Sequence, residues 1–158
     1  MIDLKNKVSL FGIVLIILTF LGCKEDPSPI PNNYELFLEF KNKNGVNLLT
    51  DFSVNNFKTD IVVKSEKGEV VNTSYSIIEY NNNKILKINS STKADDKLEV
   101  ITYIIQNEEL MGNTEKHVLD AKWLFSDNKI VLSEFYKNGD KLPPIKENHF
   151  SYYVLTRE

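Results

Sequence analysis

The feature that most constrains the fold of this chain is a series of short segments in which apolar and polar residues alternate. In residues 34–41, Tyr34, Leu36, Leu38 and Phe40 occupy every second position, so they lie on one face of a strand. Such segments recur about every ten residues, which is typical of all-β sandwiches and barrels. The further segments are residues 59–65, 69–73, 74–80, 84–90, 97–106, 116–126, 129–137 and 150–157.

About eight or nine short strands and no long amphipathic helix predict a single all-β domain over residues 34–158. The predicted architecture is an antiparallel β-sandwich of the Ig-like or Greek-key type. A lipocalin-like up-and-down β-barrel is the alternative, because successive hairpins would also produce it. Hairpin turns are predicted at residues 66–68, 81–83 and 138–139. Residues 97–106 are apolar on both faces, which predicts a central strand.

The N-terminus has the pattern of an export signal. Lys5 and Lys7 precede an apolar run at residues 8–21, which has the length of a signal-peptide core and is short for a membrane span. The run ends just before Cys23, the only cysteine in the chain. This arrangement resembles the lipobox of bacterial lipoproteins, which implies that the Cys23 thiol is lipidated and that residues 1–22 are removed. An ordinary secretory peptide and an uncleaved membrane helix are the alternatives.

The residues after the cysteine extend this resemblance. Lys24, Glu25 and Asp26 follow at once, and this triplet is similar to the surface-export signal of Bacteroidota lipoproteins. The likeness implies an anchor in the outer membrane and display on the cell exterior. Residues 23–33 contain three prolines, which predicts an extended spacer between the lipid and the domain.

In length and strand pattern the whole chain resembles the small β-sandwich lipoproteins of Bacteroidota. This resemblance implies a non-enzymatic surface protein, with an extracellular glycan, a peptide or an outer-membrane protein as its partner. Three roles are open: a binding module for extracellular polymers or proteins, an accessory subunit of an outer-membrane complex, and, for the barrel fold, a carrier of an apolar ligand.

Composition argues against most other classes of function. The formal net charge of −3 at pH 7 implies no nucleic-acid partner. Once Cys23 is lipidated, no thiol is left for catalysis or metal binding. The two histidines, His117 and His149, lie in no nucleophile motif and are predicted to be partly buried and exposed, respectively. The acidic stretches at residues 95–96 and 107–109 are expected to be solvated loops. We therefore expect no catalytic residue, cofactor or metal site.

Two aromatic residues are the candidates for contact with a ligand. Trp123 and Tyr153 are predicted to contribute to a surface on which a sugar or a peptide could stack. Core packing is the alternative for Trp123, because it shares a strand face with Leu119. Tyr153 is expected to be more exposed than Tyr152, because it alternates away from Phe150.

Overall fold

The computed structural model describes residues 32–66, 70–92, 98–126 and 129–157. Within these ranges the chain forms ten strands, one 3-10 helix and two single-turn α-helices. They are β1 (Asn32–Lys41), the 3-10 helix (Val54–Asn56), α1 (Phe57–Asp60), β2 (Ile61–Ser65), β3 (Val70–Tyr80), β4 (Asn83–Thr92), β5 (Leu98–Ile105), α2 (Glu108–Met111), β6 (His117–Ser126), β7 (Lys129–Lys137), β8 (Asp140–Lys141), β9 (Ile145–Lys146) and β10 (Ser151–Thr156).

The strands form two five-stranded sheets that pack face to face. One sheet has the order β3-β4-β1-β10-β9, and the other has the order β2-β5-β6-β7-β8. All pairs are antiparallel except β1 with β10. The predicted all-β sandwich is therefore confirmed. The alternative of a closed lipocalin-like barrel is wrong, because each sheet ends at its own edge strands and the two sheets do not join.

The predicted hairpin at residues 66–68 is also wrong. β2 pairs with β5, whereas β3 pairs with β4 in the opposite sheet, so the chain crosses between the sheets there. The segments predicted at residues 69–73 and 74–80 form one strand, β3, whose register with β4 shifts between Val70 and Asn72. A β-bulge or a similar irregularity at this point shifts the register without ending the pairing of β3 with β4.

The two other predicted turns are present. At the β3–β4 hairpin, Asn81 and Asn82 have positive φ values of 49° and 61°, and at the β7–β8 hairpin Asn138 and Gly139 have values of 51° and 91°. Asparagine and glycine tolerate this left-handed backbone better than other residues, and such turns match the twist of paired strands.

We predict that Gly139→Ala lowers the free energy of unfolding by about 1–2 kcal/mol, because an L-residue is strained in the left-handed region. A Cβ at this position would meet nothing within 4 Å, so the effect comes from the backbone alone. Urea unfolding measures it. The matched control is Asn82→Gly, for which a change of about 0.5 kcal/mol or less is expected. A Gly139→Ala variant as stable as wild type would contradict the prediction.

The core lies between the sheets and follows the predicted alternation of β1. Tyr34, Leu36, Leu38 and Phe40 are fully buried. They pack against residues from the other strands: Leu86, Ile88, Ile101, Tyr103, Ile105, Leu119, Ala121, Phe135 and Leu155. At one end, Phe57 of α1 and Leu110 and Met111 of α2 extend this core.

The prediction for β5 needs correction. It lies second in its sheet, between β2 and β6. Ile101, Tyr103 and Ile105 on its inner face are buried, whereas Val100 and Ile104 on the outer face are only half-buried. The apolar residues on its outer face reflect a partly exposed apolar surface and not a second buried layer.

A groove on the open side of the sandwich

An open groove with a volume of about 1060 Å³ runs along one side of the sandwich, from the space between the two sheets to the outer face of the first sheet. It forms because the neighbouring strands are too short to close this side. β10 pairs with β1 only from Leu38 to Lys41, and β8 pairs with β7 only at Tyr136 and Lys137. The groove is lined by residues 32, 33, 35 and 37 of β1, residues 123 and 125 of β6, residues 129–133 of β7, and residues 144, 146, 149–151 and 153.

The sequence before β10 explains why pairing stops there. Pro143 and Pro144 have no main-chain N–H to donate to a sheet, so regular pairing ends near them. β8 and β9 are accordingly two-residue strands at the sheet edges, on either side of these prolines. The β1 segment opposite this gap has no adjacent strand on the groove side within the described residues.

The walls of the groove are apolar and aromatic. Phe125 of β6 and Ile130 and Leu132 of β7 are half-buried and line the wall formed by the second sheet. At one end, the rings of Phe37 and Phe150 are 4.9 Å apart. These partly exposed side chains are available to contact a ligand.

Both residues predicted to contact a ligand line this groove, but their rings belong to the core. Trp123 is 3% exposed and packs edge-on against Tyr34, with ring centroids 5.4 Å apart. Tyr153 is also 3% exposed, and its ring lies 4.4 Å from that of Phe135. The two rings therefore form part of the floor of the groove rather than an exposed stacking surface.

The expectation that Tyr153 is more exposed than Tyr152 is wrong. Tyr153 is in register with Leu38, so it points inwards with the core face of β1. Tyr152 points to the outer face, where it joins an aromatic cluster around Phe150 and is 8% exposed. The prediction places Phe150 and Tyr152 on the core face, but Phe150 packs against Phe37 on the outer face, so the two faces of β10 are reversed.

Sequence reasoning missed three rings: Phe37, Phe125 and Phe150. Phe37 left a signal, because it is an aromatic residue in the outward register of β1, between Glu35 and Glu39. An aromatic side chain between two acidic residues indicates either a second packing surface or a contact site. For Phe125 and Phe150 the sequence offers no comparable signal.

The rim of the groove is more basic than acidic. Glu35 is paired with Lys87 at 2.6 Å, so its charge is largely compensated. Lys129, Lys146 and His149 are exposed, and the exposure predicted for His149 is confirmed. Within the described ranges neither lysine has an ion-pair partner. The rim therefore favours ligands with negative charge.

Behind the floor of the groove lies a buried polar cluster. Glu99 is fully buried beside Trp123, its cross-strand partner on β6, and the Ser65 hydroxyl donates to its Oε1. The Thr92 hydroxyl lies 3.5 Å from the Tyr34 hydroxyl. Burial, together with the charge of Glu99, raises the pKa of Tyr34. These polar groups are shielded from solvent, so they shape the interior and take no part in surface chemistry.

The other candidates from the sequence have structural roles. His117 is 6% exposed, and its Nε2 lies 2.9 Å from Asn113 Oδ1. Asn107, in the acidic stretch at residues 107–109, caps α2 by accepting from the Leu110 N–H at 2.9 Å. Residues 95–96 lie outside the described part of the chain. No group of metal-ligating side chains was found in the part that is described.

A second polar cluster lies on the outer face of β6 and β7. Glu134 accepts from Lys141 at 2.6 Å, from Tyr136 at 2.9 Å, and pairs with Lys122 at 3.1 Å. The hydrogen bonds from Lys141, Lys122 and Tyr136 lower the pKa of Glu134 to about 2. The cluster is partly exposed and tethers the short β8 to β7.

We predict that Glu134→Gln destabilises the fold near neutral pH and not in strong acid. The folded pKa of about 2 lies below the ordinary value of 4.5, so the stabilisation is present above pH 4.5 and is lost as the pH falls through 2. Urea unfolding at several pH values measures the difference between the variant and wild type. Because the group is at the surface, molar salt should reduce that difference. A difference that persists at the lowest pH would contradict this assignment.

Comparison of the chain with models of protein families, with curated proteins and with solved structures gives no match. Among the residues described, no helix is long and apolar enough to cross a membrane.

Proposed function

We propose that this protein is a non-enzymatic lipoprotein of the outer membrane, displayed on the cell exterior, in which the groove holds an extracellular ligand. One observation carries the proposal: the aromatic-walled groove is lined by Asn32, which lies near the end of the predicted spacer and is the first described residue of the chain. A binding site close to the anchored end of the domain suits a protein that holds a polymer near the cell surface.

The composition of the groove supports a ligand that combines apolar faces with polar groups. The rings of Phe37, Phe125 and Phe150 offer apolar contact area, while Asn33 and the rim lysines offer hydrogen bonds. Pockets that bind such ligands are mostly apolar, with a few polar groups that fix orientation. The groove hydroxyl of Ser133 donates to the Lys122 carbonyl at 2.9 Å, so it is engaged in structure rather than chemistry.

A second candidate is an accessory subunit of an outer-membrane complex. The outer face of the β2-containing sheet supports it, because Val62, Leu124 and Val131 are 50%, 44% and 49% exposed. Leu124 and Val131 are cross-strand partners, and the half-buried Ile104 is the partner of Val62. Exposed apolar residues in adjacent positions are a feature of protein-protein contact surfaces.

Protease treatment of intact cells tests the location. If the protein faces the exterior, its signal falls while a periplasmic control protein survives. The purified chain must be cleaved under the same conditions, since a protease-resistant fold would otherwise be mistaken for protection. Survival in intact cells together with cleavage of the purified chain would refute the proposed display on the cell exterior.

Thermal unfolding tests the binding role. The full-length chain, extracted in mild detergent, is scanned with soluble polysaccharides and with peptides. A ligand of the folded state raises the unfolding temperature increasingly with its concentration. The stabilisation grows with the logarithm of that concentration and reaches about 2.7 kcal/mol at one hundred times the Kd. No shift with any polymer, together with a protein cross-linked through Val62 or Leu124, which lie outside the groove, would favour the accessory-subunit role.

A further inference from the structure

We infer that the groove takes an extended peptide, which adds as a strand to the free edge of β1 between Asn33 and Phe37. This inference rests on the proposed binding function and names the chemical class of the ligand. It depends on the main-chain groups of β1, on the side chains that face the groove, and on the charge of the rim.

Among the described residues, the main-chain groups of Asn33 and Glu35 that face the groove have no strand partner. The Arg157 N–H donates to the Lys41 carbonyl at 2.7 Å, on the β10 side of β1. Main-chain groups of every second residue point to the same side of a strand, so those of Asn33 and Glu35 point to this side as well. β10 pairs only with residues 38–41. An incoming strand would supply the missing donors and acceptors.

The side chains around this edge define the pattern of the peptide. Alternate residues of an added strand would point between the sheets, towards Phe125, Ile130 and Leu132, and the others would point outwards beside Glu35. The ligand should therefore be apolar at every second position. At about 3.3 Å per residue, the free edge accommodates roughly five residues of an extended chain.

The charge of the rim selects among peptides and disfavours neutral sugars. Lys129 and Lys146 are exposed on the two sides of the groove, whereas the charge of Glu35 is compensated by its ion pair with Lys87. Acidic residues at the outward positions of the peptide would complement the lysines. A neutral glycan offers neither this charge nor the regular alternation of amide donors and carbonyl acceptors that the β1 edge can match.

The test is a selection of displayed random peptides of about nine residues on the full-length, detergent-extracted chain, with Glu35→Pro and Glu35→Ala as a matched pair. Both variants lose the ion pair with Lys87. Only proline removes the main-chain N–H of residue 35, which faces the groove. Proline is tolerated there because this part of β1 is a strand edge. Selected peptides should bind Glu35→Ala within about threefold of wild type and Glu35→Pro about tenfold more weakly. The fluorescence of Trp123, the only tryptophan, reports occupancy.

A second measurement applies if Glu35→Pro does not fold, as judged by circular dichroism. The selected peptide is N-methylated at one set of alternate amides or at the other. Only one set can donate to β1, so one derivative should bind about tenfold more weakly and the other should remain within about threefold. Equal binding of both derivatives would overturn the inference.

The remaining outcomes separate this inference from the proposed function. Failure to enrich any peptide on wild type over Glu35→Pro overturns the peptide assignment. Stabilisation by a polysaccharide in that case leaves the binding function in place with a different ligand class. A dimer of the free chain that Glu35→Pro dissociates would assign the edge to a second copy and would also overturn the inference.

Discussion

Replacement of Cys23 by serine is expected to abolish lipid attachment and to leave residues 1–22 on the chain. The reason is chemical, since the thiolate is the nucleophile that accepts a lipid and a serine hydroxyl is a far weaker one at neutral pH. Several acyl chains close together are needed for stable lipid anchoring, so their loss removes the lipid anchor and leaves only the retained apolar leader to hold the chain at a membrane. Intact mass of the purified protein measures both events, because wild type should have lost the leader and gained the mass of the lipid.

The control for this experiment replaces Lys24, Glu25 and Asp26 by alanine together. This variant should be cleaved and lipidated like wild type, because Cys23 is unchanged, but it should no longer be accessible to protease on intact cells. A wild-type protein without added lipid mass would contradict the lipoprotein proposal. It would leave the secretory peptide as the explanation if residues 1–22 are absent, and the uncleaved membrane helix if they are present. A lipidated triple variant that is still accessible would contradict the export role of the triplet alone.

The elements that sequence predicts well are those whose pattern depends on neighbouring residues only. The alternation from Tyr34 to Phe40 fixes both the strand and its buried face, because any partner sheet must meet the same apolar side. Asn82 and Gly139 similarly mark hairpins, because the left-handed backbone is a local property. The sandwich class follows from many such strands in series.

Strand partners depend on distant residues, and the sequence predicts them poorly. The turn after Ser65 has the composition of a hairpin, yet β2 pairs with β5 and the chain crosses to the other sheet. A tight reversal and a crossover use the same turn residues, so composition cannot separate them. The assignment of Tyr152 and Tyr153 failed for a related reason, since their faces are set by the register with β1.

The groove belongs to this second class. The groove exists because β10 pairs with β1 only from Leu38 of β1 onwards, and the sequence does not predict this register. Pro143 and Pro144 indicate that pairing is interrupted, but not which strand loses its neighbour. The sequence therefore identified Trp123 as a candidate residue but did not predict the groove that Trp123 lines.

The substitution Trp123→Ala is expected to lower the free energy of unfolding by about 3–5 kcal/mol. Trp123 is only 3% exposed, and its ring packs against Tyr34 beside the buried Glu99. Its removal leaves a cavity and uncovers a polar interior. Urea unfolding measures the loss, and Trp123→Phe should retain most of the stability because the substitution leaves a smaller cavity.

The matched control is Phe125→Ala, two residues further along the same inner face of β6. Phe125 is only half-buried, so its loss should cost about 1 kcal/mol while removing a ring that lines the groove. Weaker binding by a folded Phe125→Ala variant would then report contact with the ligand, whereas weaker binding by Trp123→Ala would report damage to the floor. If Trp123→Ala proves as stable as Phe125→Ala, the tryptophan is not a core residue, and its direct contact with a ligand becomes the better explanation.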